Sequence, residues 1–313
     1  MRMVWKMGAV LLRAVSLAFI IGIGVFLKKY KLIEENAGDV IKKIMISITL
    51  PAAIIANFAA IPSIQPIFAV IAILGMAADI CMMGFGAFLT RKSTKDRQAL
   101  YMLTLPAYNI GTFCLPFVQS FLPAIGSVAA CVFDVGNSVI CTGGSYAFVS
   151  EYVSGSKKGI DGKKFARRLL TSPPLMTYVV MFVLSMAHVR IPEQVLTFVS
   201  PISAANPFIA MLMLGLLFHL ELKKAYLSEI AKILAWRYLF AVVLSCAIYF
   251  LLPFDQVIRQ TLVLVCFGPI SAIAPAYTGM CGGDEGLASC ANSLSIICSM
   301  IVMTGLIGVF GLF

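Results

Sequence analysis

The chain has 313 residues, of which 60% are hydrophobic and 12% charged, and its mean hydropathy is +0.97. A water-soluble domain of this size does not need so apolar a composition, so we expect an integral membrane protein. The formal charge of +10 would suit nucleic acid, but the basic residues lie in short segments between apolar runs. There they act as topology signals, and no nucleic-acid partner is expected.

Apolar runs of about twenty residues, each long enough to cross a bilayer as a helix, follow one another along the chain. The ten runs lie near residues 8–27, 39–60, 66–90, 98–120, 124–150, 169–187, 194–218, 228–252, 257–279 and 286–312. The first run is expected to be a retained span, because no small-residue cleavage site follows it. The pattern predicts an all-α membrane fold of ten helices without a soluble domain.

The connections between the runs differ in charge. The odd-numbered connections hold most of the basic residues: Lys28, Lys29, Lys31, Arg91, Lys92, Lys95, Arg97, Lys157, Lys158, Lys163, Lys164, Arg167, Arg168, Lys223 and Lys224. The positive-inside rule places these connections in the cytoplasm, so both termini are expected outside it, in a multi-pass protein of the cell membrane. Arg2, Lys6 and the acidic ninth connection (Asp284 and Glu285) oppose this orientation.

A polar stretch at the midpoint divides the runs into two groups of five. Residues 97–106 resemble 259–269, and residues 136–141 resemble 291–298, in the same order. Because each group has an odd number of spans, the second copy must enter the membrane from the opposite side, as in inverted-topology repeats. The predicted organisation is a first repeat over 1–152, a cytoplasmic linker over 153–168 and a second repeat over 169–313.

Helix breakers lie inside the fourth and ninth runs. The fourth contains Pro106, Asn109, Gly111 and Pro116, and the ninth contains Gly268, Pro269, Ile270, Ser271 and Pro275. A proline removes one backbone donor and disrupts a carbonyl one turn earlier, so both helices are expected to break within the membrane. Backbone groups freed there must be buried in protein or line a wet cavity. Matching breaks in inverted repeats are typical of a transporter's substrate site, whereas a proline kink is the alternative for each break alone.

The broken ends suit an anionic ligand. A half-helix N-terminus presents free amides and the positive end of the helix dipole, and Asn109 can both donate and accept hydrogen bonds. Ser271 is the equivalent polar residue in the ninth run, with a hydroxyl bonded back to its own helix as the alternative. The predicted substrate-binding residues are Pro106, Asn109, Gly111, Pro269, Ile270 and Ser271.

Two acids lie deep in apolar runs, where a charge is costly and often functional. Asp134 is followed by Asn137 and Ser138 on the same helix face, which predicts a group that couples transport to a proton or cation. A structural, hydrogen-bonded acid is the alternative. Asn292 repeats the position of Asn137 in the second half without an acid, and Asp79 lacks polar neighbours in the sequence.

The proline and asparagine pattern resembles the auxin efflux carrier family, which includes malate and malonate permease-like proteins of prokaryotes and the plant PIN-type carriers. The residues that carry the resemblance are Pro106, Asn109 and Pro116, with Leu50 and Pro51 in the second run. The resemblance implies a homodimeric elevator-type carrier with the fold of bile-acid symporters. Helices 4 and 9 would cross at the substrate site, helices 1, 2, 6 and 7 would form the scaffold, and helices 3–5 and 8–10 would move.

Two departures from the plant carriers point away from auxin as substrate. Ala107 and Tyr108 separate Pro106 from Asn109, where plant carriers place asparagine directly after proline, and Cys114 replaces a usual glycine. The resemblance therefore implies a small organic anion such as malate or malonate, bound through its carboxylate by Asn109. Proton coupling is the expected energy source.

Other functions are weighed against this one. Acids and hydroxyls clustered at both breaks would favour a sodium-coupled symporter of the bile-acid type, but the ninth run has no acid. A channel or receptor would not require paired breaks. Enzyme motifs such as His-Glu-x-x-His and Gly-x-Ser-x-Gly are missing, so no enzyme is expected. The nine cysteines form no metal-binding motif, and the only cofactor expected is a coupling proton or sodium ion.

Overall fold

The computed structural model describes residues 2–61, 65–155, 162–220 and 223–310, and over these ranges the chain is helical and forms no β-strand. The described helices are α1 (Arg2–Lys29), α2 (Ala37–Ile44), α3 (Leu50–Ala59), α4 (Phe68–Thr90), α5 (Lys95–Thr104), α6 (Leu115–Phe121), α7 (Ala124–Val139), α8 (Ser145–Ser154), α9 (Gly162–Leu170), α10 (Pro173–Met186), α11 (Glu193–Leu217), α12 (Lys224–Leu251), α13 (Gln256–Cys266), α14 (Ala274–Met280) and α15 (Glu285–Phe310). Short π-helical turns at Met45–Thr49, Ile110–Cys114 and Ile140–Gly144 adjoin α3, α6 and α8. Lys157 and Lys158 of the predicted linker lie outside the described residues.

Six helical segments among the described residues are long and apolar enough to cross a membrane, as expected from the composition. They are Val10–Lys29, Phe68–Thr90, Ala124–Ser154, Glu193–Leu217, Lys224–Leu251 and Glu285–Phe310. The second, fourth, sixth and ninth apolar runs instead form shorter or interrupted helices. The described chain is therefore helical and compatible with a membrane protein, and its broken elements lie between long apolar helices.

The fourth and ninth runs are interrupted where the sequence predicts a break. In the fourth, α5 ends at Thr104 and the next helical turn begins at Ile110; in the ninth, α13 ends at Cys266 and α14 begins at Ala274. The residues that approach these breaks, 98–104 and 260–266, are buried throughout. Both breaks therefore lie in the centre of the molecule, where their free backbone groups must find partners within the protein.

Glycines allow α4 and α7 to pack closely. A Cβ atom added at Gly136 would lie 1.8 Å from the Ala72 carbonyl oxygen, and one at Gly75 would lie 2.3 Å from the Phe133 carbonyl oxygen. Small residues at such contacts let two membrane helices approach until their backbones touch. This contact places α7, which carries Asp134 and Asn137, against α4.

We expect Gly136→Val to destabilise the purified protein by about 2 kcal/mol or more, because the added methyl groups must push two backbones apart. The measurement is the thermal unfolding midpoint in detergent. Gly84→Val is the matched control on α4, since a Cβ there would meet nothing within 4 Å. Equal unfolding midpoints for the two variants would show that the close contact is not required.

Candidate functional site

The two breaks cross and pair through their backbones. Tyr108 and Ile270 form an isolated antiparallel β-bridge. Each break donates one hydrogen bond to the other: from Asn109 N to Pro269 O (3.0 Å) and from Ser271 N to Ala107 O (3.0 Å). The crossing thus satisfies part of the backbone that each helix break leaves free.

Ala107 turns the fourth-run break sharply. Its φ of 66° lies in the left-handed region, which costs a non-glycine residue about 1 kcal/mol. The turn aims the Ala107 amide at the Asp79 carboxylate, with 2.8 Å between Ala107 N and Asp79 Oδ1. Contacts on both sides of Ala107 therefore hold a backbone conformation that alanine alone would disfavour.

Arg237, on α12, joins the two breaks from one side. Its side chain is 2% exposed, and its guanidinium carbon lies 4.7 Å from the centre of the Tyr108 ring. The guanidinium donates hydrogen bonds to carbonyls of both breaks, including those of Leu105, Pro106 (3.0 Å), Gly268 (3.1 Å) and Pro269 (3.1 Å). A planar fork with five donors can bind more carbonyls at once, and in a more fixed geometry, than the three donors of a lysine ammonium.

Asp79, on α4, holds the fourth-run break through the Ala107 amide, whereas Arg237 binds carbonyls of both breaks. Asp79 has no polar neighbours in the sequence, and its partner in the structure is a backbone group that sequence does not reveal. Arg237 was missed by the sequence analysis. A single arginine inside the apolar run 228–252 is the signal that could have found it.

Asn137 on α7 also binds the fourth-run break. Its Nδ2 donates to Tyr108 O (3.0 Å), and its Oδ1 accepts a hydrogen bond from Tyr108 N (2.9 Å). Asn137 Nδ2 also donates to Asp134 Oδ1 (2.7 Å), and Tyr178 Oη on α10 donates to Asp134 Oδ2 (2.9 Å). A continuous hydrogen-bond chain therefore runs from the crossing through Asp134 to α10.

The ninth-run break is held by a serine of α15. Ser295 Oγ on α15 accepts a hydrogen bond from Ile270 N (2.9 Å) and donates to Asn292 O (2.6 Å). Asn292 contributes this backbone carbonyl, and its side-chain oxygen is buried without a hydrogen-bond partner among the described residues. The two halves thus hold their breaks with different side chains.

A cavity of about 440 Å³ opens beside the crossing. The structure brings most of the predicted site residues to its wall: Asn109, Gly111, Asp134, Asn137, Ser138 and Ser271. Four others are not on the described wall: Pro106, Pro269, Ile270 and Asn292. Pro106 and Pro269 instead turn their carbonyls towards Arg237, because the unwound segments present one side to the cavity and the other to α12.

Asn109 lies on this wall and has an unused hydrogen-bond donor. The residue is 4% exposed, and its Oδ1 accepts a hydrogen bond from the Thr112 hydroxyl. Its Nδ2 is buried and has no hydrogen-bond partner among the described residues. A buried donor without a partner is costly, which makes a ligand acceptor in the cavity favourable.

Lys42 adds a positive charge to the wall. It lies on α2, is partly buried, and is the one lysine or arginine among the described residues that line the cavity. Asp134 is the one carboxylate on the same described wall. The sequence analysis did not single out Lys42, although a lysine near the start of an apolar run could have drawn attention to it. The cavity therefore combines one cation, one acid and several neutral donors.

Comparison with protein-family models and with curated proteins found no match for this chain. Among the described residues, no group of three or more His, Cys, Asp and Glu side chains could hold a metal ion. What can be inferred about function comes from the geometry of the crossing and its cavity.

Proposed function

We propose that the protein is a secondary transporter that carries a small organic anion across the membrane, with the crossing of the two breaks as its substrate site. The observation that carries the proposal is the unpartnered amide of Asn109 on the wall of a cavity that also presents Lys42. A carboxylate could accept a hydrogen bond from that amide and form an ion pair with the lysine. Hydrogen bonds to a charged group are stronger than those between neutral groups. The cavity volume of about 440 Å³ suits a small ligand.

Helix packing supports an inverted repeat over 1–152 and 169–313. α1 packs on α11, and the corresponding pair in such a repeat, α10 and α3, also packs together. The pair α4 and α5 of the first half corresponds to α12 and α13 of the second, and both pairs pack together. The pair α6 and α7 corresponds to α14 and α15, and these two pairs also pack together. Pairs related by a repeat are therefore in contact in both halves, as expected for transporters built in this way.

The position of the cavity supports an elevator mechanism. Its wall takes Lys42, Leu50 and Pro173 from the helices assigned to the scaffold, and Asn109 and Asp134 from those assigned to the moving domain. A substrate between these two groups would move with the crossing while the scaffold stayed fixed. The resemblance to auxin efflux carriers agrees with this plan and adds the expectation of a homodimer.

The cavity mouth indicates which side of the membrane it faces. Three residues that line the cavity lie close in sequence to odd-numbered connections: Lys42 to the first, Thr171 to the fifth and Tyr277 to the ninth. If those odd-numbered connections are cytoplasmic, the cavity opens to the cytoplasm. The conformation is then an inward-facing state of a carrier in the cell membrane.

Asp134 suggests how transport is coupled. An anion in the same cavity would be repelled by the Asp134 carboxylate, and protonation of Asp134 would remove that repulsion. One proton would then accompany each substrate. The resemblance favours malate, malonate or a similar small acid as the substrate.

The proposal is tested by uptake of radiolabelled dicarboxylates into vesicles that contain the purified protein. We expect uptake above that of protein-free vesicles, faster with an inward proton gradient than with an inward sodium gradient. Stimulation by sodium alone would favour the bile-acid-type symporter. If none of a broad set of organic acids is taken up or exchanged, the transporter proposal is wrong.

Asp134→Asn should abolish stimulation of uptake by the proton gradient, because the amide cannot take up a proton. Exchange of substrate at equal pH on both sides should persist, since Asn can still bond to Asn137 and Tyr178. Initial uptake rates with and without the gradient measure the effect. Asp255→Asn is the control, because Asp255 is an exposed acid outside the cavity. If the proton gradient stimulates uptake by Asp134→Asn as much as by the unaltered protein, Asp134 does not couple transport to protons.

A further inference from the structure

Helix α9 has an unusual charge distribution. Its sequence, Gly-Lys-Lys-Phe-Ala-Arg-Arg-Leu-Leu over Gly162–Leu170, contains four basic residues and no acid. In an α-helix, positions 163, 164, 167 and 168 fall on one face. Positions 165, 166, 169 and 170, which are all apolar, fall on the opposite face. The helix is therefore amphipathic, with a wholly basic polar face.

Part of the apolar face of α9 is exposed, at Ala166 and Leu170, and Leu169 on the same face is half-buried. Leu170 is 66% exposed, whereas a soluble protein would normally bury a leucine on such a face. Lys163 and Arg167 on the polar face are exposed as well. A short helix with an exposed apolar face and a basic face fits the boundary between water and lipid.

α9 also adjoins the cavity. The Arg167 carbonyl accepts hydrogen bonds from Thr171 N (2.9 Å) and Thr171 Oγ1 (2.8 Å), and Thr171 lines the cavity. α9 further contacts the turn Ile140–Gly144, which supplies Cys141 and Thr142 to the wall. The position of α9 therefore determines the position of residues at the cavity mouth.

We propose that α9 lies flat on the membrane surface and binds the headgroups of anionic phospholipids, so that the lipid fixes one edge of the cavity mouth. The basic face supplies the charge complementarity, and the exposed leucine face supplies the insertion into the acyl boundary. An acidic soluble protein would match the charges but would leave Leu170 in water. A neutral lipid surface would match the apolar face only.

The first test measures amide hydrogen exchange of the full chain in nanodiscs. We expect exchange over 162–172 to slow by about fivefold or more when phosphatidylcholine is partly replaced by phosphatidylglycerol, the effect of a single basic contact with an anionic surface. Exchange in the exposed basic segment 91–95 should change less. Soluble glycerol phosphate added to phosphatidylcholine nanodiscs should have no effect, which separates a lipid surface from a free phosphate group.

The second test uses a variant in which Lys163, Lys164, Arg167 and Arg168 are all replaced by glutamine. It should lose the response to phosphatidylglycerol over 162–172. The matched control replaces four exposed basic residues elsewhere by glutamine, and it should keep the response: Lys29, Lys43, Arg91 and Lys92. Equal exchange over 162–172 in both lipids for the unaltered protein, or an unchanged response in the α9 variant, would overturn the proposal. Neither readout depends on transport, so the result stands apart from the proposed function.

Discussion

Replacing Arg237 with leucine is expected to destabilise the purified protein by about 3 to 5 kcal/mol, the usual effect of removing one partner from a buried charged network. The carbonyls of Pro106, Gly268 and Pro269 would lose the buried donor group that they share. Each of these losses falls on the crossing itself, so the two breaks should separate.

The loss of stability is measured from the temperature at which the protein, heated in detergent, loses its folded peak in size-exclusion chromatography. Arg237→Lys should recover only part of the stability, because an ammonium keeps the charge but not the planar fork. Arg259→Leu is the matched control, since Arg259 donates to one carbonyl among the described residues, that of Tyr249, and also lies over an aromatic ring. If Arg237→Leu unfolds at the same temperature as Arg259→Leu, Arg237 does not hold the breaks together.

Asn109→Ala is expected to reduce the initial rate of anion uptake by about tenfold or more, since a hydrogen bond to a charged group contributes about 1.5–3 kcal/mol. The substitution removes the unpartnered amide and leaves the backbone bond from Asn109 N to Pro269 O in place. The fold should therefore survive while substrate binding is lost. Rates are measured in proteoliposomes at equal protein content.

Asn57→Ala is a suitable control for that experiment. The Asn57 side-chain nitrogen is likewise buried without a hydrogen-bond partner among the described residues, but Asn57 does not line the described cavity wall. It should transport at close to the wild-type rate. Equal losses in both variants would mean that the effect reflects a missing buried amide in general and has nothing to do with the cavity.

The parts of the site that sequence predicted depend on local chemistry. Proline together with glycine and asparagine disfavours a continuous helix in the fourth and ninth runs, and both runs are interrupted there. Helical periodicity places Asp134 and Asn137 on one face, and their side chains form a hydrogen bond. Asn109 was found because it lies inside a break. Composition alone identified a helical membrane protein.

The parts that sequence did not predict depend on contacts between distant segments. Which side of an unwound segment faces the cavity is decided by its partner, so Pro106 and Pro269 were expected at the substrate and instead face Arg237. The two unwound segments also differ in length, Leu105–Asn109 in one and Phe267–Ile273 in the other. The repeat of Asn137 in the second half is Asn292, whereas the side chain that binds the ninth-run break is that of Ser295.

Lys42 shows a further limit of sequence reasoning. A lysine near either terminus of a membrane span, as Lys42 is near the start of the run 39–60, is ordinarily interpreted as a topology signal or a snorkelling side chain. Only the packing of α2 beside the crossing makes it part of the cavity wall. That Lys42 shares a cavity wall with Asn109 and Asp134 becomes visible only in three dimensions.

The most direct test of the account is an experimental structure of the protein with a transported dicarboxylate bound. We expect a carboxylate oxygen of the bound dicarboxylate within hydrogen-bond distance of Asn109 Nδ2, in the cavity that Lys42 and Asp134 also line. A dicarboxylate bound elsewhere, with Asn109 Nδ2 still without a partner, would contradict the assignment of the crossing as the substrate site.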